Sequence, residues 1–388
     1  GQRWDEALAA NKWYVLIVVL CVYWAATLLN LRGMKTSAGV TKWGTIIGTI
    51  VPGAILILLG LGYWAGGNPI LLDMSWDKLV PDMSNFNNLV LAASIFLFYA
   101  GMEMSAVHVK DVDNPGRNYP LAILISAIIT VLIFVLGTLA IGFIIPNSQI
   151  NLVQSLLITY DSYFSFFGLG WMNWILALAL AVGVLAQVTA WVGGPSKGLY
   201  QVGLAGNLPP VMQKRNKNNV QMGILLIQGG IVTLLSIMFV IMPSVQSAYQ
   251  IISQLTIILY LIMYMLMFAS GIYLRYREPN TPRTFRIPGG RTFGMWVVGG
   301  LGLLASLAAF LVSFIPPNQI TVGSSTMYIL LLVAGTFIFA GIPFIIHAMA
   351  KPSWKRPVDP EDAFEPFGWE KNNDSHSTAT PSHTISHE

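Results

Sequence analysis

Residues 12–31 read KWYVLIVVLCVYWAATLLNL, a run of 20 residues with one charge, at its first position. As an α-helix, a run of about 20 residues crosses the roughly 30 Å hydrocarbon core of a bilayer. In lipid, backbone groups must be paired within the segment, and barrel strands would alternate polar and apolar residues. Comparable runs predict an all-α integral membrane protein with about nine transmembrane helices, near 12–31, 43–65, 87–108, 119–146, 171–196, 220–243, 247–274, 292–315 and 322–350.

The composition excludes an ordinary soluble domain. Of the 388 residues, 55% are hydrophobic and 10% are charged, whereas a soluble domain carries about 25% charged residues. The net charge of +4 is expected to reflect orientation in the membrane rather than an acidic partner, so no nucleic-acid binding is predicted. A single cysteine, Cys21, allows no intrachain disulfide.

The loops between the predicted spans alternate between many and few basic residues. The richest loop follows the span at 247–274 and carries Arg275, Arg277, Arg283, Arg286 and Arg291. Because basic loops face the cytoplasm, nine spans would place the C-terminus in the cytoplasm and residue 1 outside. We therefore expect an odd number of further spans upstream, so that the chain is a fragment.

The composition divides the chain into a transmembrane domain at 1–350 and a polar tail at 351–388. The tail is acidic and rich in Ser and Thr, and it carries His376, His383 and His387 near its end. These histidines would become charged between neutral and mildly acidic pH. The tail is either a pH-responsive gate or an incidental polar or metal-binding extension. Its histidine spacing matches no metal-ligand motif, and neither a metal site nor a cofactor is predicted.

Glu103 is the only acidic residue well inside a predicted span, in the stretch FLFYAGMEMS at 96–105. A carboxyl group at this depth costs roughly 2.5–3.5 kcal/mol unless it faces a cavity or a partner. It is either a functional group or a protonated carboxyl that packs between helices. Gly101, two residues earlier, favours a local unwinding that would expose backbone groups to a ligand.

Other spans carry candidate site residues with structural alternatives. The segment WVGGPSK at 191–197 predicts a helix break, beside which Trp191 either walls a binding site or marks the interface. Tyr260 and Tyr264 share one helical face and either bind a substrate or pack against a neighbour. No catalytic constellation is present, so the sequence does not predict an enzyme.

The segment at 147–170 is amphipathic and is predicted to lie along the outer membrane interface. Aromatic residues in and just after it would act as interfacial anchors, because Tyr and Trp are enriched at that level. These predicted anchors are Tyr160, Tyr163, Phe164, Phe166, Phe167 and Trp171.

Three motifs give the chain a family resemblance. FYAGME at 98–103, DNPGRNYP at 113–120 and LPP at 208–210 resemble the amino acid/polyamine/organocation (APC) transporters. The resemblance implies a twelve-helix fold with two inverted five-helix repeats and a substrate site where the first and sixth helices unwind. It also implies that the helices present correspond to helices four to twelve and that the first three are missing.

The histidine-bearing tail resembles the bacterial glutamate/γ-aminobutyrate antiporters of acid resistance. This resemblance implies a protein of the bacterial inner membrane that exchanges external glutamate for internal γ-aminobutyrate, linked to a cytoplasmic glutamate decarboxylase. The tail would then be a plug that leaves the cytoplasmic path in acid. The alternatives are an antiporter of another amino acid and amine, or a non-transporting membrane subunit. The implied substrate-binding or gating residues are Tyr99, Gly101, Glu103, Trp191, Tyr260 and Tyr264.

Overall fold

The structure is a computed structural model that describes residues 7–75, 88, 90, 92, 95, 99–146, 150, 154–281, 283, 285–290, 292–316 and 324–356. These residues form helices and loops and contain no strand, which confirms the predicted all-α class. The helices are α1 (Lys12–Leu31), α2 (Met34–Thr45), α3 (Val51–Ala65), α4 (Pro115–Ile144), α5 (Ser155–Phe166), α6 (Asn173–Val202), α7 (Met222–Ser236), α8 (Met238–Ile241), α9 (Val245–Arg277), α10 (Phe293–Val312) and α11 (Ser325–Ala348).

Eight helical stretches in the described part are long and apolar enough to cross a membrane, and each overlaps a predicted span. The remaining predicted span, near 87–108, lies mostly outside the described residues. Its described end contains Gly101 and a 3-10 helix, Met102–Asp111. The span lengths follow from the apolar runs, since a helix in lipid pairs its own backbone groups.

Helix α6 packs against α1, α2 and the π-helical segment Ile46–Ile50 that joins α2 to α3. Gly48 in this segment meets Gly183 of α6 so closely that a Cβ atom on Gly48 would overlap the Gly183 Cα atom. One turn earlier, a Cβ atom on Gly44 would overlap the Ala186 Cβ atom. Small residues thus let the two backbones touch, which is how membrane helices gain packing contacts without a hydrophobic driving force between them.

The second half of the molecule is organised around α9, which packs against α10 and α11. Ile251 and Ile258 of α9 form a buried cluster with Tyr328 and Leu332 of α11. Tyr260 follows Ile251 by nine residues, or two and a half helical turns, and therefore lies on the opposite face of α9. Packing against α11 thus orients the tyrosine face of α9 toward the middle of the molecule.

Three of the six predicted interfacial anchors are wrong, because helix α5 buries them in the protein core. Tyr160, Tyr163 and Phe164 are buried core residues, whereas Phe166 and Phe167 are exposed, as is Trp171 after the helix. The Tyr160 hydroxyl donates to the Pro52 carbonyl at 2.7 Å, and the Tyr163 hydroxyl donates to the Ala140 carbonyl at 2.6 Å. Burial raises the pKa of both tyrosines above the usual range, so both remain donors.

The predicted helix break at 191–197 is wrong, because α6 continues through Pro195 to Val202. Proline removes the backbone donor for the carbonyl four residues earlier, yet membrane helices tolerate proline where they pack against neighbouring helices. Helix α6 packs in this way against α1 and α2. The helix is interrupted later, in the π-helical segment Gly203–Asn207.

The described start of the tail contacts the end of α6. Gln213 is buried, and its amide donates to the Trp354 carbonyl at 2.9 Å and to the Leu208 carbonyl at 2.7 Å. The Arg356 backbone N–H donates to the Leu204 carbonyl at 3.4 Å. These bonds fix the first residues of the tail; the predicted pH-sensing histidines lie outside the described residues.

The close contact between α6 and the segment Ile46–Ile50 leads to a prediction about stability. We expect Gly48→Ala to lower the unfolding free energy by about 1–3 kcal/mol, because the added methyl group overlaps the backbone of α6. Gly39→Ala is the matched control in α2, since a Cβ atom there meets nothing within 4 Å. It should be neutral or stabilising by about 0.5–1 kcal/mol. Thermal unfolding in detergent measures both, and equal midpoints for the two variants would contradict the close crossing.

Candidate functional site

The Glu103 carboxylate lies at a break in the helical backbone. Gly101 has a φ of +106°, and the 3-10 helix that contains Glu103 begins at the next residue. The Glu103 Oε2 atom accepts the Gly101 backbone N–H at 3.1 Å and the Tyr264 hydroxyl at 3.0 Å. The carboxylate therefore replaces a helical partner for one backbone donor and links the break to α9.

The second carboxylate oxygen of Glu103 is buried and has no hydrogen-bond partner among the described residues. A buried acceptor without a partner costs about 1–3 kcal/mol, because it loses its hydration and receives nothing in return. An ionised carboxylate is an acceptor only, so this atom could bind an N–H or O–H donor from outside the chain. The carboxylate thus divides its two oxygens between the protein backbone and a possible ligand.

Trp191 of α6 covers the break at Gly101. A Cβ atom on Gly101 would lie 2.7 Å from Trp191 Cζ2 and 2.9 Å from Cη2, so the indole ring lies directly against the glycine. Residue 101 therefore needs glycine for two reasons: its positive φ and the close approach of the ring. The structure brings Trp191 to the predicted site even though the helix break predicted beside it is absent.

Aromatic rings continue from Trp191 along α9. The Trp191 and Tyr260 ring centroids are 5.9 Å apart, and those of Tyr260 and Tyr264 are 5.6 Å apart, both edge-to-face. Phe268 adds a fourth ring, with its centroid 6.4 Å from that of Tyr264. Phe268 was missed in the sequence, although its spacing of four residues from Tyr264 places it on the same helical face.

Tyr99 has a different neighbour from the other predicted site residues. Its ring packs edge-on against Phe134 of α4, with centroids 6.0 Å apart. Among the described residues, no ring contact joins Tyr99 to Trp191, Tyr260 or Tyr264. The structure therefore brings together Gly101, Glu103, Trp191, Tyr260 and Tyr264, and it places Tyr99 on the α4 side of the break.

A cavity of about 590 Å³ lies beside the residues that immediately follow Glu103. Met104 and Ser105 line it together with residues of α1, α2 and α6, among them Asn30, Lys42 and Lys197. No Asp or Glu occurs among its lining residues in the described part. No sequence motif indicates this cavity, because its walls come from five separate segments, including the loop at 218–221. The described residues also contain no group of three or more potential metal ligands.

Comparison with known proteins decides the family. The amino acid permease family model matches residues 2–339. The chain belongs to the amino acid permease family. This permease is therefore a multi-pass membrane transporter by family rather than an enzyme, as the resemblance to the APC transporters implied.

Individual relatives of this permease agree with that membership. An uncharacterised transporter of Legionella pneumophila is 37% identical over 338 residues, which cover 87% of this chain and 72% of the relative. A glutamate/γ-aminobutyrate antiporter of Lactococcus lactis is 32% identical over 347 residues, which cover 89% of this chain and 69% of the relative. A probable agmatine/putrescine antiporter of the same species is 23% identical over 283 residues, which cover 72% of this chain and 59% of the relative.

Proposed function

We propose that this permease is an antiporter that exchanges external glutamate for internal γ-aminobutyrate across the bacterial inner membrane. A cytoplasmic glutamate decarboxylase would supply the γ-aminobutyrate. The observation that carries the proposal is the Glu103 carboxylate, which is buried at a backbone break with one oxygen unpaired. Relatives named as glutamate/γ-aminobutyrate antiporters support the substrate pair.

The chemistry of the cluster suits the group that both substrates share. Glutamate and γ-aminobutyrate each carry an ammonium group, and a carboxylate binds ammonium through a charge-assisted hydrogen bond. The faces of Trp191 and Tyr260 would add cation–π attraction next to this position. In this proposal, the free oxygen of Glu103 accepts the substrate ammonium group, and the aromatic rings exclude water around it.

The cavity beside the Glu103 segment favours anionic substrates over diamines. Lys42 lines it, and its described lining residues include no acid, so its potential would favour a glutamate carboxylate over a dication. A second candidate, exchange of an amine such as agmatine for putrescine, is supported by the more distant relative and by the carboxylate of Glu103. The two candidates differ in the charge of the substrate that the cavity admits.

Exchange by the full-length protein in liposomes tests the proposal. Liposomes loaded with γ-aminobutyrate should accumulate labelled glutamate at about pH 5.5, whereas empty or putrescine-loaded liposomes should not. Exchange of labelled agmatine for putrescine, without glutamate exchange, would instead establish the amine antiporter. No exchange of either pair would contradict both candidates and leave an antiporter of another amino acid and amine, or a non-transporting membrane subunit.

Replacement of the Glu103 carboxylate tests the proposed site. Glu103→Gln keeps the size of the side chain and an oxygen for the Gly101 N–H, but it removes the negative charge. We expect glutamate exchange to fall at least about tenfold or to lose its pH dependence, because a charge-assisted bond is roughly twice as strong as a neutral one. Asp73→Asn, in an exposed loop, is the matched control and should behave as wild type. Unchanged kinetics of Glu103→Gln between about pH 5 and pH 7 would remove Glu103 from the mechanism.

We further propose that the tail closes the cytoplasmic path at neutral pH. The bond between Trp354 and Gln213 and the bond between Arg356 and Leu204 anchor its start to the segment after α6, so residues beyond them would be tethered beside the cytoplasmic loops. This placement requires the C-terminus to be cytoplasmic, as the alternation of basic loops predicts. His376, His383 and His387 would gain charge as the pH falls through about 6.5 and release the tail.

Two variants test the tail in opposite directions. Deletion after Arg356 keeps the docked residues and should extend exchange activity from acidic toward neutral pH, because the plug is gone. The triple substitution His376→Gln, His383→Gln and His387→Gln keeps the tail but prevents its charging. It should therefore lower activity at about pH 5.5. A pH profile of exchange in liposomes measures both, and a deletion profile identical to wild type would exclude the plug.

A further inference from the structure

A second cavity lies at the end of α9, far along the chain from the Glu103 site. It has a volume of about 460 Å³, and three arginines line it: Arg275, Arg283 and Arg286. The other lining residues are Pro279, Asn280, Ile287, Pro288, Gly289 and Gly290, so the described lining contains no carboxylate. Three guanidinium groups around one cavity repel one another unless an anion lies between them.

Arg283 is fixed in place by the end of the helix. Its guanidinium donates to the carbonyls of Leu274 at 3.2 Å, Glu278 at 2.8 Å and Thr281 at 3.1 Å. These bonds hold the guanidinium against carbonyls in the last turn of α9 and in the loop after it, where its charge offsets the negative end of the helix dipole. Arg283 therefore forms a rigid positive wall of the cavity and keeps the helix end from repelling an anion.

Arg275 and Arg286 are available to a ligand. Neither has a hydrogen bond or an ion pair with another residue in the described part of the chain. Arg275 is half-buried in the last turn of α9, and Arg286 is exposed in the following loop. Guanidinium groups bind phosphate through paired parallel hydrogen bonds, which makes arginine well suited to phosphate groups.

Neighbouring aromatic residues place the cavity at the membrane surface. The Trp296 indole N–H donates to the Tyr276 hydroxyl at 2.7 Å, and the two side chains are 50% and 58% exposed. Exposed Trp and Tyr at the ends of membrane helices lie at the level of the lipid headgroups. Tyr276 directly follows Arg275 in α9, so the arginine cavity lies at that level as well.

An adjoining cavity offers space for the less polar part of a lipid. It has a volume of about 360 Å³, shares Arg275 and Arg283 with the first, and is also lined by Gly271, Leu274, Glu278, Thr281 and Met295. A free phosphate ion would use the arginines alone. A phospholipid would use both cavities, with its phosphate at the arginines and its glycerol and first acyl carbons beside Leu274 and Met295.

We propose that Arg275, Arg283 and Arg286 bind the phosphate of an anionic phospholipid, in the leaflet faced by this basic loop. Basic pockets between membrane helices bind anionic headgroups in this way. The lipid would tie α9, which carries Tyr260 and Tyr264, to α10 at the membrane surface. The site is independent of the transported substrate.

Lipid-dependent thermal unfolding of the purified full-length protein tests the site. Titration with phosphatidylglycerol in detergent should raise the unfolding midpoint of the wild type, and phosphatidylcholine should not. Arg275→Gln combined with Arg286→Gln should weaken the apparent affinity for phosphatidylglycerol by about tenfold or more, because two phosphate contacts are lost. Arg283 is left intact in this variant, since it holds the helix end.

Arg277→Gln is the matched control. Arg277 lies in the same helix turn, but its guanidinium donates to the Tyr273 hydroxyl at 2.7 Å and does not line the cavity. Its affinity for phosphatidylglycerol should stay within about twofold of wild type. An equal loss in this control, or an equal shift with phosphatidylcholine, would overturn the site, and full reproduction of the shift by inorganic phosphate would overturn the assignment to a lipid.

A charge-conserving variant covers the case in which the double glutamine variant does not fold. Arg275→Lys combined with Arg286→Lys keeps both positive charges, and native mass spectrometry should still detect bound phosphatidylglycerol on it. Absence of this lipid from both the wild type and the lysine variant under gentle detergent conditions would contradict the proposal.

Discussion

The structure depends on one constraint: a backbone donor or acceptor inside a bilayer must find a partner within the protein. Regular helices meet it along most of each span, and side chains meet it where helices bend, end or break. The buried hydroxyls of Tyr160 and Tyr163 bond carbonyls on α3 and α4. Polar side chains within the spans are therefore positioned largely by the backbone that they serve.

The same constraint explains why an acid is present at the break in the Glu103 segment. Unwinding at Gly101 frees a backbone N–H, and a carboxylate two residues later accepts it. The Tyr264 hydroxyl then adds a second donor to the same oxygen. Because the protein uses only one oxygen of the carboxylate, the break is stabilised and an acceptor is left over. A substrate donor at that acceptor would change the charge beside the break and so bias the position of the segment against α9.

Sequence reasoning succeeded where one segment contained the whole signal. The apolar runs predicted the eight described spans because bilayer thickness sets helix length, and Gly101 with Glu103 indicated the break because both residues are in one stretch. It failed where contacts with residues far away in the sequence determine the local structure or the burial of a side chain. The break predicted at Pro195 is wrong because α6 packs against α1 and α2, a contact that the segment at 191–197 does not reveal. Tyr160 was read as an interfacial anchor because aromatic composition does not reveal that α3 and α4 cover it.

The two ionic clusters of the molecule differ in ways that follow from their depth. A charge in the middle of the membrane is costly, so Glu103 occurs singly and with donors already directed at it. Arginines at a helix end lie near water and headgroups, where charge is inexpensive, so several can collect around one cavity. Only Arg283 among them is bound to backbone carbonyls, in the role that Glu103 has for a backbone N–H. In both clusters, one charged side chain bonds the backbone at a helix break or a helix end. The other Glu103 oxygen in one cluster, and Arg275 and Arg286 in the other, then remain for a ligand.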